Sequence, residues 1–312
     1  MDTFTSKTAN NPARVMLWTV PRTLATVLCK CLSFVPGAQI FYEPFLTAWE
    51  IGPECSVVSS GESAVNEKFY SQIERMVPTL DIQYPDTNWF DSHVCTYEWV
   101  KNNLESEFDS DVEMVLCKDM VYAMTGHYDK IPQGYQHVFL IRNPLKQMPS
   151  WKQMTLNAKD CSAKVVGESI EMQPEKFSLS FDTKYADMIK LYTYLTTNLP
   201  DTPIVIDADD LQNHTASILR QFLEAIGVPY RDSFLTWNQS DEFSKQWVLP
   251  KIAGYGNLIN GENGWYHNAF RSTCIRQANG APELESLPQD LADMVKSAMP
   301  VYEELYQLRM KP

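Results

Sequence analysis

Arg22 stands in the stretch VMLWTVPRTLATVLCKCLSF (residues 15–34), between an apolar run suited to a buried strand and a pattern suited to a helix. Thr23 and Thr26 follow it with two hydroxyls. Pro21-Arg22-Thr23-Leu24-Ala25-Thr26 therefore offers an anion a guanidinium fork, hydroxyl donors and the free amides of a helix start. A second set lies in HVFLIRNPLKQMPSW (residues 137–151), where Arg142 closes a strand-like run and Ser150 follows about two helical turns later. Asn143-Pro144 marks the helix entrance between them. Arg and Ser so separated can face one ligand group, the first from a loop and the second from a helix. Taken singly, each set also fits a capped helix or a strand-end ion pair. The G-x-x-x-x-G-K-[ST] pattern of a Mg-nucleotide loop does not occur, which weighs against a kinase or other phosphotransferase.

Two carboxylates are candidates for a general base, because a carboxylate in a pocket can take a proton from an acceptor. Glu43 follows a strand-like run in FYEPF, and Asp119 follows Lys118 after another. A salt bridge or helix entry is the plain alternative for Glu43, and a helix cap for Asp119; Glu43 is the preferred base. His137 begins a strand, at the far end from these groups, and His93, His127, His214 and His267 read as helix-surface or loop residues. No cluster of His, Cys and Asp has metal-ligand spacing, so no metal is expected.

Elements must bring these residues together. Short runs rich in Val, Ile and Phe alternate with helical patterns, which predicts βαβ units on a parallel sheet. Strands are expected at Arg14–Val20, Ala38–Tyr42, Val112–Cys117, His137–Ile141 and Pro203–Asp207. Helices are expected at Leu24–Phe34, Met120–Tyr128, Pro144–Met154, Thr215–Ile226 and Leu287–Met310, the last interrupted at Pro300. Residues 52–107 read as a helical insertion, and 155–180 and 229–285 as irregular. The expected fold is α/β, a P-loop-type parallel sheet of about five strands flanked by helices, in one domain over residues 1–312 with 1–13 flexible. Ligands of such sheets bind outside the carboxyl ends of the strands, where Arg22, Glu43, Lys118, Asp119 and Arg142 fall.

The two anion-binding sets resemble the cofactor signatures of sulfotransferases that use 3′-phosphoadenosine 5′-phosphosulfate (PAPS). In that family a Pro-[Lys/Arg]-Ser-x-[Ser/Thr]-Thr turn holds the 5′-phosphosulfate, and a later Arg, with Ser eight positions on, holds the 3′-phosphate. The resemblance implies these roles for Arg22, Thr23, Leu24, Ala25 and Thr26, and for Arg142 and Ser150. PIVIDADDLQNHTASILRQFLEAIGVPY (residues 203–230) is similar to the family's strand, acidic-Leu, helix, Gly-x-Pro segment. GENGWYHNAFRST (residues 261–273) is similar to its C-terminal Gly-rich loop, which implies cofactor contacts for Gly264, Trp265 and Arg271. Trp18, Pro21-Arg22 and Glu43-Pro44-Phe45 look closest to bacterial-type branches. The chain departs from the pattern where Leu24 and Ala25 replace Gly and Ser, where Asp119 replaces a His, and where the last loop lacks Arg-Lys before its glycine.

The implied activity is metal-free transfer of a sulfuryl group from PAPS to a hydroxyl or amine of a small-molecule acceptor, with Arg22 beside the leaving group. A non-catalytic nucleotide-binding relative is the other reading that the departures keep open. The formal charge of −13 is the wrong sign for a nucleic-acid or glycosaminoglycan partner. Seven scattered cysteines without a C-x-x-C pair favour reduced thiols. With no apolar run near the ~20 residues of a membrane span and no leader-like start, a cytoplasmic location without membrane contact is expected.

Overall fold

Val15, Met16, Leu17 and Trp18 are each no more than 1% exposed. Strand β1 (Ala13–Thr19) is thus buried on both faces, as a central parallel strand must be. The computed structural model describes residues 11–50, 52–53, 88–91, 94–154, 181–239, 242–251 and 266–312. Around β1 it assembles β2 (Ala38–Tyr42), β3 (Asn88–Asp91), β4 (Met114–Met120), β5 (Gln136–Ile141), β6 (Ile204–Asp207) and β7 (Trp247–Lys251). They form a parallel seven-stranded sheet in the order β3-β7-β2-β4-β1-β5-β6.

Alternation along β1 splits the core in two. Val15 and Leu17 pack with Leu28 and Leu32 of helix α1 (Ala25–Leu32) and with Leu219 and Phe222 further along the chain. Met16 and Trp18 pack on the opposite face, with Phe45 of α2 (Pro44–Glu50), Tyr97 of α3 (Tyr97–Glu105) and Met148 of α4 (residues 144–154). Tyr185 of α5 (Phe181–Asn198) joins them there. Helices α6 (Ala208–Asn213), α7 (Thr215–Ala225), α8 (His267–Phe270) and α9 (Gln289–Gln307) complete the described helices. The connection after β1 therefore runs over one face, while those after β4 and β5 run over the other. That reversal opens a crevice at the carboxyl end of β1.

The α/β class and parallel sheet match the sequence reading, but the strand count does not: seven strands stand where about five were expected. The extra two are β3, in the segment read as a helical insertion, and β7, in one read as irregular. Both are short, and Pro250 hides β7 because proline cannot donate to a ladder. β7 tolerates it because β2 pairs only with Trp247 and Val248, leaving Pro250 to face β3 alone.

The helix expectations also need correction. β4 runs on through Lys118 and Asp119 to Met120, so the helix expected at Met120–Tyr128 is instead two short 3-10 turns, Val121–Met124 and Tyr128–Lys130. Helix α9 continues through Pro300 without interruption; the cost of one lost backbone bond is offset by buried Val295, Ala298 and Tyr302. The short helices α2, α6 and α8, the last in a segment read as irregular, and the longer α5 were not anticipated; the apolar stripe of α5 is diluted by Thr and Tyr. Among the described residues no helix is long and apolar enough to cross a membrane.

Candidate functional site

The loop after β1 bends through two non-glycine residues in the left-handed region, Arg22 (φ 70°) and Leu24 (φ 71°). Each such residue costs about 1–3 kcal/mol, which the surroundings must over-determine. The determinants are visible. Thr23 donates from its hydroxyl to the Val20 carbonyl (3.1 Å) instead of capping the helix. Gln147, fully buried on α4, donates to the Pro21 carbonyl (2.5 Å). Arg142 donates from Nη1 to the Arg22 carbonyl (2.8 Å). Leu24 occupies the N-cap position of α1 and no side chain caps that helix. The first-turn amides thus open toward the crevice with the positive end of the dipole behind them.

The two predicted sets meet here. Arg22 donates from Nε to Ser150 Oγ (3.1 Å), and Arg142 holds the same residue by its carbonyl. Burial lowers the pKa of both guanidiniums; Tyr266 counters this at Arg22, and Asp209 does so at Arg142. Arg142 Nε is buried without a hydrogen-bond partner, a polar atom that an anion would satisfy. Thr26 shares a 2.7 Å hydrogen bond with the Tyr42 hydroxyl. Ala25 contributes backbone only, its side chain being buried.

Glu43 is the third non-glycine residue at positive φ (58°) and is 2% exposed. It forms a buried ion pair with Lys118, which the β2–β4 register sets opposite Tyr42. The Tyr266 hydroxyl lies 3.4 and 3.3 Å from Glu43 Oε1 and Oε2. Lys118 Nζ also sits 4.9 Å from the Tyr42 ring centroid, against which the Tyr266 ring packs edge-on at 5.6 Å. Arg22, Thr26, Tyr42, Glu43, Lys118 and Tyr266 therefore line one crevice.

Asp119 faces elsewhere. Its Oδ2 accepts from the Phe45 amide (2.6 Å), and its Oδ1 accepts from the Leu46 (2.9 Å) and Met120 (2.8 Å) amides. It pins the start of α2 to the end of β4. Burial pushes its carboxyl up to about 7, against the pull of those amides. Arg271 is exposed at the end of α8; Gly264 and Trp265, like His93, lie outside the described residues. His137 sits near the start of β5, where Nδ1 accepts from Trp18 Nε1 (2.9 Å). Among the described residues no group of three or more His, Cys, Asp or Glu could hold a metal. A cleft of about 680 Å³ beside β6 is lined by Asp207, Asp209, Glu303 and Glu304, the wrong sign for a phosphate.

Sequence reasoning missed Gln147, Tyr42 and Tyr266. A signal existed for Gln147, which lies three residues before Ser150 and so on the same face of α4. Tyr42 precedes Glu43 directly. Tyr266 lies in the stretch read as the C-terminal Gly-rich loop, but its partner Glu43 is more than two hundred residues away, so no local pattern joined the two.

No family model matches this chain. Among curated proteins it is similar to branched-chain-amino-acid aminotransferase-like protein 2 of Arabidopsis thaliana, 22% identical over 218 residues, which is 65% of this chain and 32% of that protein. The corresponding protein 1 is 23% identical over 167 residues, 54% of this chain and 23% of that protein. The chain thus spans about a third or less of the length of these relatives. Among solved structures it is similar to the sulfotransferase domain from the curacin biosynthetic pathway, at 15% identity and TM-score 0.49, covering 97% of this chain and 100% of that one. It is also similar to the sulfotransferase domain of the Synechococcus PCC 7002 olefin synthase, at 14% identity and TM-score 0.45, covering 92% and 95%. Likenesses at this level do not assign chemistry, which has to be argued from the site.

Proposed function

We propose that this chain is a sulfotransferase that moves the sulfuryl group of PAPS to a hydroxyl or amine of a small-molecule acceptor. One observation carries the reading: two sets of residues picked out for an anion, 128 positions apart, touch through Arg22 and Ser150 at the carboxyl end of β1. A buried, unpartnered Nε on Arg142 supports an anionic ligand at the same place.

PAPS supplies an activated sulfuryl group and a phosphate leaving group. Arg142 and Ser150 would hold its 3′-phosphate, and Thr26 and the first amides of α1 its 5′ end, while Thr23 holds the turn in shape through Val20. In the transfer, the acceptor oxygen or nitrogen forms a bond to sulfur as the bond from sulfur to the bridging phosphate oxygen breaks. The electron pair leaves with adenosine 3′,5′-bisphosphate. Arg22 and the α1 amides neutralise charge growing on that oxygen. Glu43 takes the acceptor proton, and Lys118 holds the carboxylate in place. Asp119 serves by positioning α2.

Thermal shift tests the reading. Adenosine 3′,5′-bisphosphate should raise the melting temperature where ATP with Mg²⁺ does not. Arg142→Ala should weaken the bisphosphate by about 2–5 kcal/mol and barely affect adenosine 5′-phosphate. Stabilisation by ATP with Mg²⁺ alone would favour a phosphotransferase; bisphosphate binding without transfer to any acceptor would favour a non-catalytic relative.

A further inference from the structure

Lys30 is buried at 0% exposure in the last turn of α1, five residues past Ala25, where the helix begins. A buried ammonium is costly unless its donors are used. Its Nζ donates to the Phe270 carbonyl and to the Ser272 carbonyl (3.0 Å), and lies 4.5 Å from the centroid of the Phe243 ring. These carbonyls close the C-terminal end of α8, where a cation is favoured. Trp237 Nε1 donates to the same Ser272 carbonyl (2.6 Å), so the turn is held from two sides.

The other end of this short helix is Tyr266. Its carbonyl accepts from the Ala269 (2.9 Å) and Phe270 (3.0 Å) amides, so fixing one end fixes the other. Its ring rests edge-on against Tyr42 and its hydroxyl reaches both oxygens of Glu43. Burial first, then the charge of Glu43, pushes the phenol well above its ordinary pKa. Tyr266 therefore keeps its proton and donates it. The contact is long for an O–H donor, of the kind that tightens when a ligand closes a site.

We infer that Lys30 and Tyr266 form a strut from α1 through α8 to the Glu43 carboxylate, setting its orientation together with Lys118. Both are positioning residues, acting through Glu43. The strut rests on the sulfuryl-transfer reading for its purpose. It ties the carboxylate to the same helix whose first turn forms the anion loop, so ligand and base are referred to one rigid element. Among the described residues, Lys118 and Asp119 on β4, Tyr42 on β2, Cys29 on α1 and Arg22 in the loop are charged or titratable neighbours of the Glu43–Tyr266 pair.

Tyr266→Phe tests the strut, since it keeps the ring against Tyr42 and removes only the donor. The carboxyl carbon of Glu43 is followed by ¹³C NMR in the full chain at constant pH, its signal identified by its loss in Glu43→Gln. The expected result is a displaced Glu43 signal in Tyr266→Phe and a displacement of the same sign in Lys30→Met. Single-turnover transfer should fall about 10- to 100-fold in Tyr266→Phe, with bisphosphate affinity within about twofold, because positioning acts on the reacting geometry and not on the nucleotide. An unmoved Glu43 signal in Tyr266→Phe overturns the strut, whatever Lys30→Met does and whether or not it folds. Equal losses of rate and affinity also overturn it, by making Tyr266 a general packing residue. A parent chain that binds no bisphosphate would overturn the sulfuryl-transfer reading instead, and the NMR comparison would still decide the strut.

Discussion

Three backbone positions, Arg22, Leu24 and Glu43, sit in the left-handed region without being glycine, and all three border the same crevice. Strain gathered in this way marks a place where geometry is held against local preference. The sequence favours Glu43 over Asp119 as the base only narrowly, and their partners differ in kind. Glu43 meets side-chain donors, Lys118 and Tyr266, which an incoming acceptor can join. Asp119 meets three backbone amides, which it serves as a cap. Glu43→Gln should accordingly lower the single-turnover rate by about 10²–10⁴-fold, the usual loss when a general base is removed, and leave bisphosphate affinity intact. Asp119→Asn should instead cost about 1–3 kcal/mol of stability, since its NH₂ would confront amides that need an acceptor. Parallel measurement of rate and urea midpoint checks both, and a rate collapse confined to Asp119→Asn would transfer the base to Asp119.

Among the elements, the β1–β5 pair carries a pH-sensitive clasp. His137 is 2% exposed, stacks on Trp18 at a centroid separation of 6.1 Å, and accepts the indole N–H. Its Nε2 has no hydrogen-bond partner. Burial lowers its pKa to about 4. The unfolded chain takes up a proton near the ordinary value of about 6.5 while the folded chain resists. The clasp's contribution is therefore complete above about 6.5 and is lost as pH falls toward 4, by up to about 1.4 kcal/mol per pH unit. Asp119 and Asp207, pushed up by burial to about 7 and about 6, titrate with the opposite sign, so the parent's own curve mixes both effects. The difference between parent and His137→Gln isolates the histidine. Urea midpoints at several pH values should show the variant losing less stability than the parent between pH 6.5 and 4.5. Parallel curves would remove His137 from the acid response.

Across the whole molecule, the outer strands are joined to the crevice through Trp247. This residue is fully buried, stacks on Tyr42 at 4.7 Å, donates to Ser33 Oγ (2.7 Å), and meets Phe243 and Phe270 edge-on. It is the point where β7, α1 and α8 meet under the site. Trp247→Ala should cost about 3–5 kcal/mol, the range for removing a large buried aromatic side chain. It should also weaken the Tyr42–Thr26 contact that braces the anion loop. A urea titration of the purified chain checks the first, and bisphosphate affinity of the folded variant checks the second. A stability loss below about 1 kcal/mol would deny Trp247 this central place.

How much of this was legible beforehand follows from range. Apolar periodicity is local, and it located β1, β2, β5 and β6 and the helices α1, α4 and α7 to within a few residues. It also placed Arg22, Thr26, Glu43 and Arg142 at one sheet edge, because strand ends and helix starts are local events. The strands β3 and β7 escaped, since four or five residues containing Trp, Asn or Pro carry little period. Likewise β4 continued through Lys118 and Asp119 because Glu43 and the amides of α2 satisfy their charges, and those partners lie about seventy positions away. By itself the sequence determined the class of fold, and it singled out the two segments proposed to bind an anion and the two carboxylates proposed as a base. Only the tertiary structure decided that Arg22 meets Ser150, that Asp119 caps a helix, and that Tyr266 and Lys30 reach Glu43 and α8. Those contacts depend on strand order and crossover, which no local pattern encodes.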